Sequence, residues 1–330
     1  MRAARVTRLD GPDAVEVLDV AAPEVPTGKV LVEVVAAGVS YPDVLLTRGQ
    51  YQMRPDPPFT PGAEVAGVVL DAPDGGTLAP GDRVAAFSVL GGFAERVVVE
   101  PALTLPLPDG VTFEAGAALP MNYLTCHFAL VTRGRLAEDE TVLVHGAAGG
   151  IGTAAVQLAK ALGARVVAVT STEAKGEVAR AAGADEVVLA DGFREAALEL
   201  TSGRGVDLVV DPVGGERVTD SLRALAPLGR LLVVGFTGGS IPEVRLNRLL
   251  LNNLDVVGVG WGAYWMPRPE FVRRQWDELV PLLEAGRLDP VIGTVHELDD
   301  VAAALAEIEQ RRATGKVLLT PRIRTVVEDE

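Results

Sequence analysis

Cysteine and histidine are nearly missing from this 330-residue chain, which holds one thiol, Cys126, and three imidazoles, His127, His145 and His296. One cysteine excludes an internal disulfide and a four-cysteine metal lobe. Long apolar runs are lacking too, since none approaches the ~18 residues that span a bilayer. With 48% hydrophobic and 23% charged residues, the composition is that of a globular chain rather than a membrane or disordered one. The opening MRAARVTRLDGPDAVEV carries early arginines without the apolar stretch of a secretion signal, so a cytoplasmic location is expected. Positive charge is in deficit, with 30 basic against 45 acidic residues and a net charge of −15. Such a surface repels polyanions, which sets nucleic acid and anionic membranes aside as partners. An anion bound by this protein needs a local pocket.

What is present is a change of rhythm. Up to about residue 120, the strand-like runs KVLVEVVAAGV (29–39), EVAGVVLDA (64–72), DRVAAF (82–87) and AERVVVE (94–100) are separated by turn sequences such as DPPFTPG and APGD. This predicts a β-rich domain. From about Pro120, apolar strands alternate with longer helical stretches, which predicts parallel strands joined by crossover helices. Strands are expected at 141–145, 165–170, 185–189, 206–211, 229–235 and 255–260, with helices at 150–163, 172–182, 193–202, 215–225 and 244–252. Six strands with five connecting helices match a doubly wound α/β dinucleotide fold. After Trp261, a helix near 269–286, a strand near 291–296, a helix at 298–311 and the strand KVLLT are expected to return to the first domain. The expected division is 1–122, 123–264 and 265–330.

Within HGAAGGIG, the spacing Ala147-x-Gly149-x-x-Gly152 matches the dinucleotide fingerprint, with alanine at its first position. Small residues let the chain turn sharply and bring the backbone of Gly149, Gly150 and Ile151, at a helix N-terminus, against a pyrophosphate. The triplet alone also fits a plain strand-to-helix turn; its place after the first of six alternating strands favours the cofactor. An acidic residue closing the second strand would hold a ribose 2′-hydroxyl and reject a 2′-phosphate. Here the strand closes as AVTSTEAK, where Thr170, Ser171 and Lys175 offer hydroxyls and a positive charge that favour NADPH. The other reading is that Ser171 or Thr172 only caps the next helix, that Lys175 is a solvated face residue, and that Glu173 turns inward to serve NAD.

The stretch DETVLVHGAAGGIGTAAVQLAK (139–160) resembles the signature of the zinc-independent quinone oxidoreductases of the medium-chain dehydrogenase/reductase superfamily. Looser matches follow the same order: GVSYPDVLLTRGQY (38–51), FTPGAEVAGVV (59–69), ALPMNYLTCHFAL (118–130), DPVGG (211–215), WGAY (261–264) and RRATGKVLL (311–319). The resemblance implies a GroES-like β-rich substrate domain plus a doubly wound six-stranded parallel Rossmann domain. It also implies a cleft for the nicotinamide and a homodimer in which the sixth strands pair. Asn122 and Thr125 resemble residues that contact the nicotinamide half; Val213, Gly235 and Phe236 are expected on the carboxyl rim of the sheet. Lys316 could reach a phosphate or the cleft, or simply precede the last strand. Where zinc-dependent relatives carry a metal-binding cysteine and a histidine, this chain has Ser40 and Ala63, and no metal is expected. His145 is expected to be a packed strand-end residue. Ala190, where some relatives pack an aromatic, predicts thinner adenine contacts.

Without a metal to stabilise an alkoxide, the acceptor should be electron-poor already: a quinone or an α,β-unsaturated carbonyl. A hydroquinone anion delocalises its own charge, whereas an enone or enoyl thioester needs a donor for the enolate oxygen and an acid for the α carbon. Tyr51 in RGQYQMRP is the candidate donor, at the place where related enoyl reductases carry a catalytic tyrosine; an aromatic lid is the other reading. Ser40 is a second, shorter candidate. Asp43 and Arg48 are expected to form an ion pair shaping this loop, and Arg268, Arg273 and Arg274 to lie on a solvated helix face unless they meet CoA phosphates. The functional expectation is an NADPH-dependent reductase of small-molecule quinones or other activated alkenes. The alternatives are an enoyl-CoA or acyl-thioester reductase and a non-catalytic NADPH-binding protein.

Overall fold

The computed structural model describes residues 1–321. It separates into two compact units, Met1–Met121 together with the chain from Ile292 onward, and Asn122–Val291.

The first unit contains strands β1 (Arg2–Val6), β2 (Val15–Asp19) and β3 (Val30–Val39), the short helix α1 (Tyr41–Thr47), and strands β4 (Glu64–Asp71), β5 (Arg83–Phe87), β6 (Arg96–Val99) and β7 (Thr104–Pro106). Helix α2 (Phe113–His127) begins here and runs on past the boundary. In β3 the sequence VLVEVV alternates buried and half-buried positions before a fully buried AAGV. Period-two alternation is the mark of a sheet with one face in the core. Val32, Val65, Val84 and Phe93 meet there.

The second unit is built from β8 (Thr141–His145), α3 (Gly150–Ala161), β9 (Arg165–Thr170), α4 (Glu173–Ala181), β10 (Glu186–Leu189), α5 (Phe193–Leu200), β11 (Val206–Asp211), α6 (Val218–Ala224), β12 (Leu225–Val233), α7 (Asn247–Asn252), β13 (Asp255–Gly258), α8 (Trp261–Trp265) and α9 (Glu270–Glu284). Its six strands lie in the order β10-β9-β8-β11-β12-β13, every neighbouring pair parallel. That is the doubly wound dinucleotide order, whose switch point lies between β8 and β11. The central strands β8 and β11 are buried at every position, because crossover helices cover both faces and leave room only for apolar runs.

The chain then returns to the first unit with β14 (Ile292–Glu297), α10 (Val301–Glu309) and β15 (Lys316–Thr320). The first unit's larger sheet runs β14-β15-β3-β4-β5-β7, with β6 also on β3. The return begins at Ile292, later than the expected boundary at 265. The reason is α9, whose Val272, Trp276, Leu279 and Leu283 are buried and whose Gln275 accepts from Trp261 Nε1 at 2.8 Å and donates to Leu124 O at 2.9 Å. These contacts keep α9 in the second unit.

Candidate functional site

The glycine corner is built where β8 ends. His145 closes the strand fully buried, with Nε2 2.8 Å from Ser221 Oγ and its ring 4.8 Å from Phe193, edge to face. Burial pushes its imidazole down to about 3, so it is a neutral packing residue. Gly146 follows with a left-handed φ of 59°, a conformation that costs a glycine little. The turn therefore rests on Gly146, a residue ahead of the fingerprint that starts at Ala147. Ala147 N–H donates to Val169 O at 3.2 Å, tying the turn to β9.

Gly149 is the N-cap of α3, and the ladder opens with Thr153 N–H on Gly149 O at 2.8 Å. The N–H groups of Gly150, Ile151 and Gly152 precede that ladder, so the helix has no acceptor for them. Orphan donors at the positive end of a helix dipole suit a phosphate. A Cβ on Gly152 would overlap Gly146 O and lie 2.6 Å from Ala147 Cα, whereas one on Gly149 would meet Gly146 O only at 3.5 Å. The last glycine thus serves the close approach of helix to turn. The first leaves the approach to a ligand open.

Other candidate residues converge on this corner. Asn122 Nδ2 lies 2.5 Å from where a Cβ on Gly150 would stand, and Val213 Cγ2 lies 3.3 Å from the same point on Gly146. Asn122 and Thr125 are both buried on α2, and the next residue, Cys126, donates to Ile151 O at 3.4 Å. Val213 belongs to a rim organised by Asp211, a residue the sequence reading missed. Asp211 Oδ1 accepts from Val213 N–H at 2.8 Å and Gly214 N–H at 2.9 Å, and burial raises its carboxyl. Phe236 packs against this turn, 2.8 Å from the Cβ position of Gly214, and Gly235 N–H reaches Asp211 O at 3.4 Å. The DP dipeptide closing an apolar strand was the signal available for Asp211.

At the end of β9, Thr170 is buried and its hydroxyl donates to Thr172 O at 3.1 Å. Thr172 is the N-cap of α4, accepting from Lys175 N–H at 3.3 Å. Capping thus falls to Thr172, and Ser171 is exposed beside it. Lys175 is half-buried, and burial lowers its ammonium. Glu173 is exposed in the first turn of α4. Ala190 is half-buried against the second unit's core.

The first unit holds a different centre. Lys316, at the start of β15, is buried and its ammonium binds the Glu64 carboxylate and donates to Ser40 Oγ at 2.7 Å. Ser40 Oγ donates in turn to Glu64 Oε1 at 3.2 Å, and Glu64 Oε2 accepts from Met121 N–H at 2.7 Å. Of the alternatives open for Lys316 (a phosphate, the cleft, or a place ahead of the last strand), the structure shows its ammonium taken up inside the unit by Glu64 at the start of β15. Ser40, expected as a substrate donor, has its hydroxyl engaged on both sides. The expected Asp43–Arg48 ion pair is absent among the described residues. Asp43 is fully buried and accepts from Ser40 N–H at 2.9 Å and Gly62 N–H at 3.1 Å, while Arg48 pairs with Glu309 at 2.6 Å. Burial pushes the Asp43 carboxyl up to about 7.

Tyr51 is half-buried on the edge of the first unit's core, and its hydroxyl makes no hydrogen bond among the described residues. Burial, with the nearby Asp43 carboxylate, raises the phenol, which keeps it protonated. Arg268 and the arginines of α9 behave as surface residues, with Arg273 on Asp277, Arg274 over Phe271 and Arg268 over Tyr264.

Residues 26–109 match the alcohol dehydrogenase GroES-like domain family, and residues 150–285 match the zinc-binding dehydrogenase family. A quinone oxidoreductase-like protein 2 from Bos taurus is 38% identical over 323 residues, 97% of this chain and 92% of that one. The chain belongs to the zinc-independent quinone oxidoreductases of the medium-chain dehydrogenase/reductase superfamily. In this family's structures the likeness is equally complete. A probable oxidoreductase from Mycobacterium abscessus shares 42% identity at a TM-score of 0.90, over 97% of this chain and 99% of that one. The quinone oxidoreductase of Thermus thermophilus, solved also in complex with NADPH, shares 37% identity at a TM-score of 0.85, over 97% of this chain and 100% of that one. Although one matching family is described as zinc-binding, no group of three His, Cys, Asp or Glu side chains among the described residues could hold a metal ion.

Proposed function

We propose that this quinone oxidoreductase family member uses NADPH to reduce quinones or other activated alkenes. The observation that carries the reading is the bare corner from Gly146 to Gly152, whose orphan N–H donors fit a pyrophosphate. NADPH, when bound, supplies a hydride from C4 of its reduced nicotinamide. Gly150, Ile151 and Gly152 would hold the pyrophosphate, and Ser171 with Lys175 the 2′-phosphate. Thr170 supports them by shaping the strand end. Asn122, Thr125, Val213, Gly235 and Phe236 would hold the nicotinamide half. The bound group of solved relatives supports this choice, since the quinone oxidoreductases of Thermus thermophilus and Escherichia coli were crystallised with NADPH.

In this reading the second unit binds the cofactor and the first binds the acceptor. Tyr51 donates a hydrogen bond to the oxygen on which negative charge develops, a role suited to a phenol kept protonated and with no hydroxyl partner among the described residues. That same observation favours α,β-unsaturated carbonyls, including enoyl thioesters, as acceptors beside quinones. The exposed edge strand β13, with Val256 38% exposed and Ile241, Leu246, Leu250 and Leu251 each above 70% exposed, supports a homodimer. No described helix is long and apolar enough to cross a membrane, and a cytoplasmic location is part of the proposal.

Oxidation of NADPH and of NADH is followed with a simple quinone, with crotonyl-CoA and with no acceptor. Faster turnover of NADPH with the quinone supports the reading. Turnover with crotonyl-CoA alone moves the activity to enoyl reduction. Tight NADPH binding with neither acceptor reduced overturns the reading in favour of a non-catalytic binder.

A further inference from the structure

Three strands of the first unit meet at one buried point. Gly38 on β3 pairs with Leu318 on β15 and with Glu64 on β4. A Cβ on Gly38 would lie 2.7 Å from Lys316 Cε, 2.8 Å from Glu64 Cδ and 2.5 Å from Ala117 O. The absence of a side chain there makes the space in which Lys316 and Glu64 meet. Lys316 is 3% exposed and Glu64 is fully buried. An ion pair withdrawn this far from water is costly to assemble and contributes little stability beyond what two apolar residues would. Its position suggests what else it does.

The pair is connected to both chain segments that leave this point. Ser40, bound by Lys316 and Glu64, is the N-cap of α1, the helix that precedes Tyr51, and Glu64 also fixes Met121, the residue before Asn122 in the chain. Asp43, in the first turn of α1, completes the hold through Ser40 N–H and Gly62 N–H. Here a side-chain ammonium gathers Ser40 and Glu64.

We propose that Lys316 is a positioning residue: its ammonium, held by Glu64 and Ser40, sets the start of α1 and so the placing of Tyr51 for hydrogen-bond donation to the acceptor oxygen on which negative charge develops. The inference rests on the role of Tyr51 proposed above. It replaces the alternative in which Lys316 touches a phosphate.

The test compares wild type with Lys316→Arg, Lys316→Met and the double variant Lys316→Met/Glu64→Gln. The double variant removes both charges and keeps the measurement alive where the single change strands Glu64 and prevents folding. Three readouts are taken: NADPH affinity by fluorescence, kcat and acceptor KM, and hydrogen exchange of residues 38–51. The expected result is an NADPH Kd within twofold of wild type and a kcat about tenfold to a hundredfold lower in the double variant, the range that a misplacement near 1 Å produces. Acceptor KM changes little, exchange of 38–51 is faster, and Lys316→Arg recovers most of the kcat. A raised NADPH Kd with kcat preserved at saturation would overturn the inference in favour of a cofactor contact. Unchanged kcat and unchanged exchange in a folded double variant would overturn it outright. Should wild type reduce no acceptor, the proposed function fails separately, and the exchange of 38–51 decides the inference: acceleration in the double variant with recovery in Lys316→Arg supports it, and no acceleration sinks it.

Discussion

The two units of this protein build their buried polar centres in opposite ways. The second unit's corner contains no charged side chain: it offers the backbone of Gly150, Ile151 and Gly152 at the start of α3. The first unit concentrates Lys316, Glu64 and Asp43 at a point that water hardly reaches. A backbone corner is inexpensive to fold, because Gly150 and Ile151 stay half-exposed and water can serve their donors until a ligand does. A buried charge cluster must be satisfied within the protein from the outset. The difference teaches that charge, the usual sign of a site, here marks the internal frame, while the place proposed for the anion is the one without charge.

That contrast can be broken most sharply at Glu64. Glu64→Gln leaves the Lys316 ammonium buried without its counter-charge, and stability should fall by about 3–5 kcal/mol, measured by denaturant unfolding with and without NADPH. Asp43 should show next, through pH. Its carboxyl rises from an ordinary 3.8 to about 7, so the folded protein retains a proton that the unfolded chain releases earlier. The stabilising contribution is therefore complete below about pH 4 and lost as pH rises to about 7, on the order of 4 kcal/mol. Melting curves across that window should slope less for Asp43→Asn than for wild type.

At the corner, Gly152→Ala should cost about 2–3 kcal/mol through overlap of helix and turn, while Gly149→Ala should leave stability nearly unchanged and weaken NADPH instead. Equal effects of the two would sink the division of roles between them. Tyr51→Phe removes one hydrogen bond to a developing anion, so kcat should drop by about 2 kcal/mol, roughly 30-fold, with NADPH affinity unaltered. The smallest change is expected for Lys175→Ala, about 1 kcal/mol in NADPH binding with NADH binding unmoved; isothermal titration of both nucleotides would check it.

How much of this was readable in the sequence depended on how local each feature is. β8, β9 and β11 fall on the expected ranges 141–145, 165–170 and 206–211, because a parallel strand buried on both faces must be an uninterrupted apolar run. α1 went unseen because seven residues containing Pro42 look like loop, and α2 because Gly116 and Pro120 interrupt its helical spacing. Gly149, Gly150, Ile151 and Gly152 were legible as a motif contained in a few residues. The Ser40, Glu64 and Lys316 cluster was not, since its members lie 24 and 252 positions from one another along the chain. The sequence carried one trace of it: a glutamate, Glu64, heading an otherwise apolar strand beside Ala63. Lys316 stays open among alternatives for the same reason, a lysine before an apolar strand having no visible partner until the sheet order is known.

The strand order also fixes a sequence of events during synthesis. β15 lies between β14 and β3 in the first unit's sheet, although it is the last of the described strands to be translated. The second unit, by contrast, is one continuous stretch that can close while the ribosome is still working. The unit begun first is therefore finished last. Until residue 316 emerges, Glu64 has no Lys316 ammonium to meet, so a nascent chain would complete the second unit before the first.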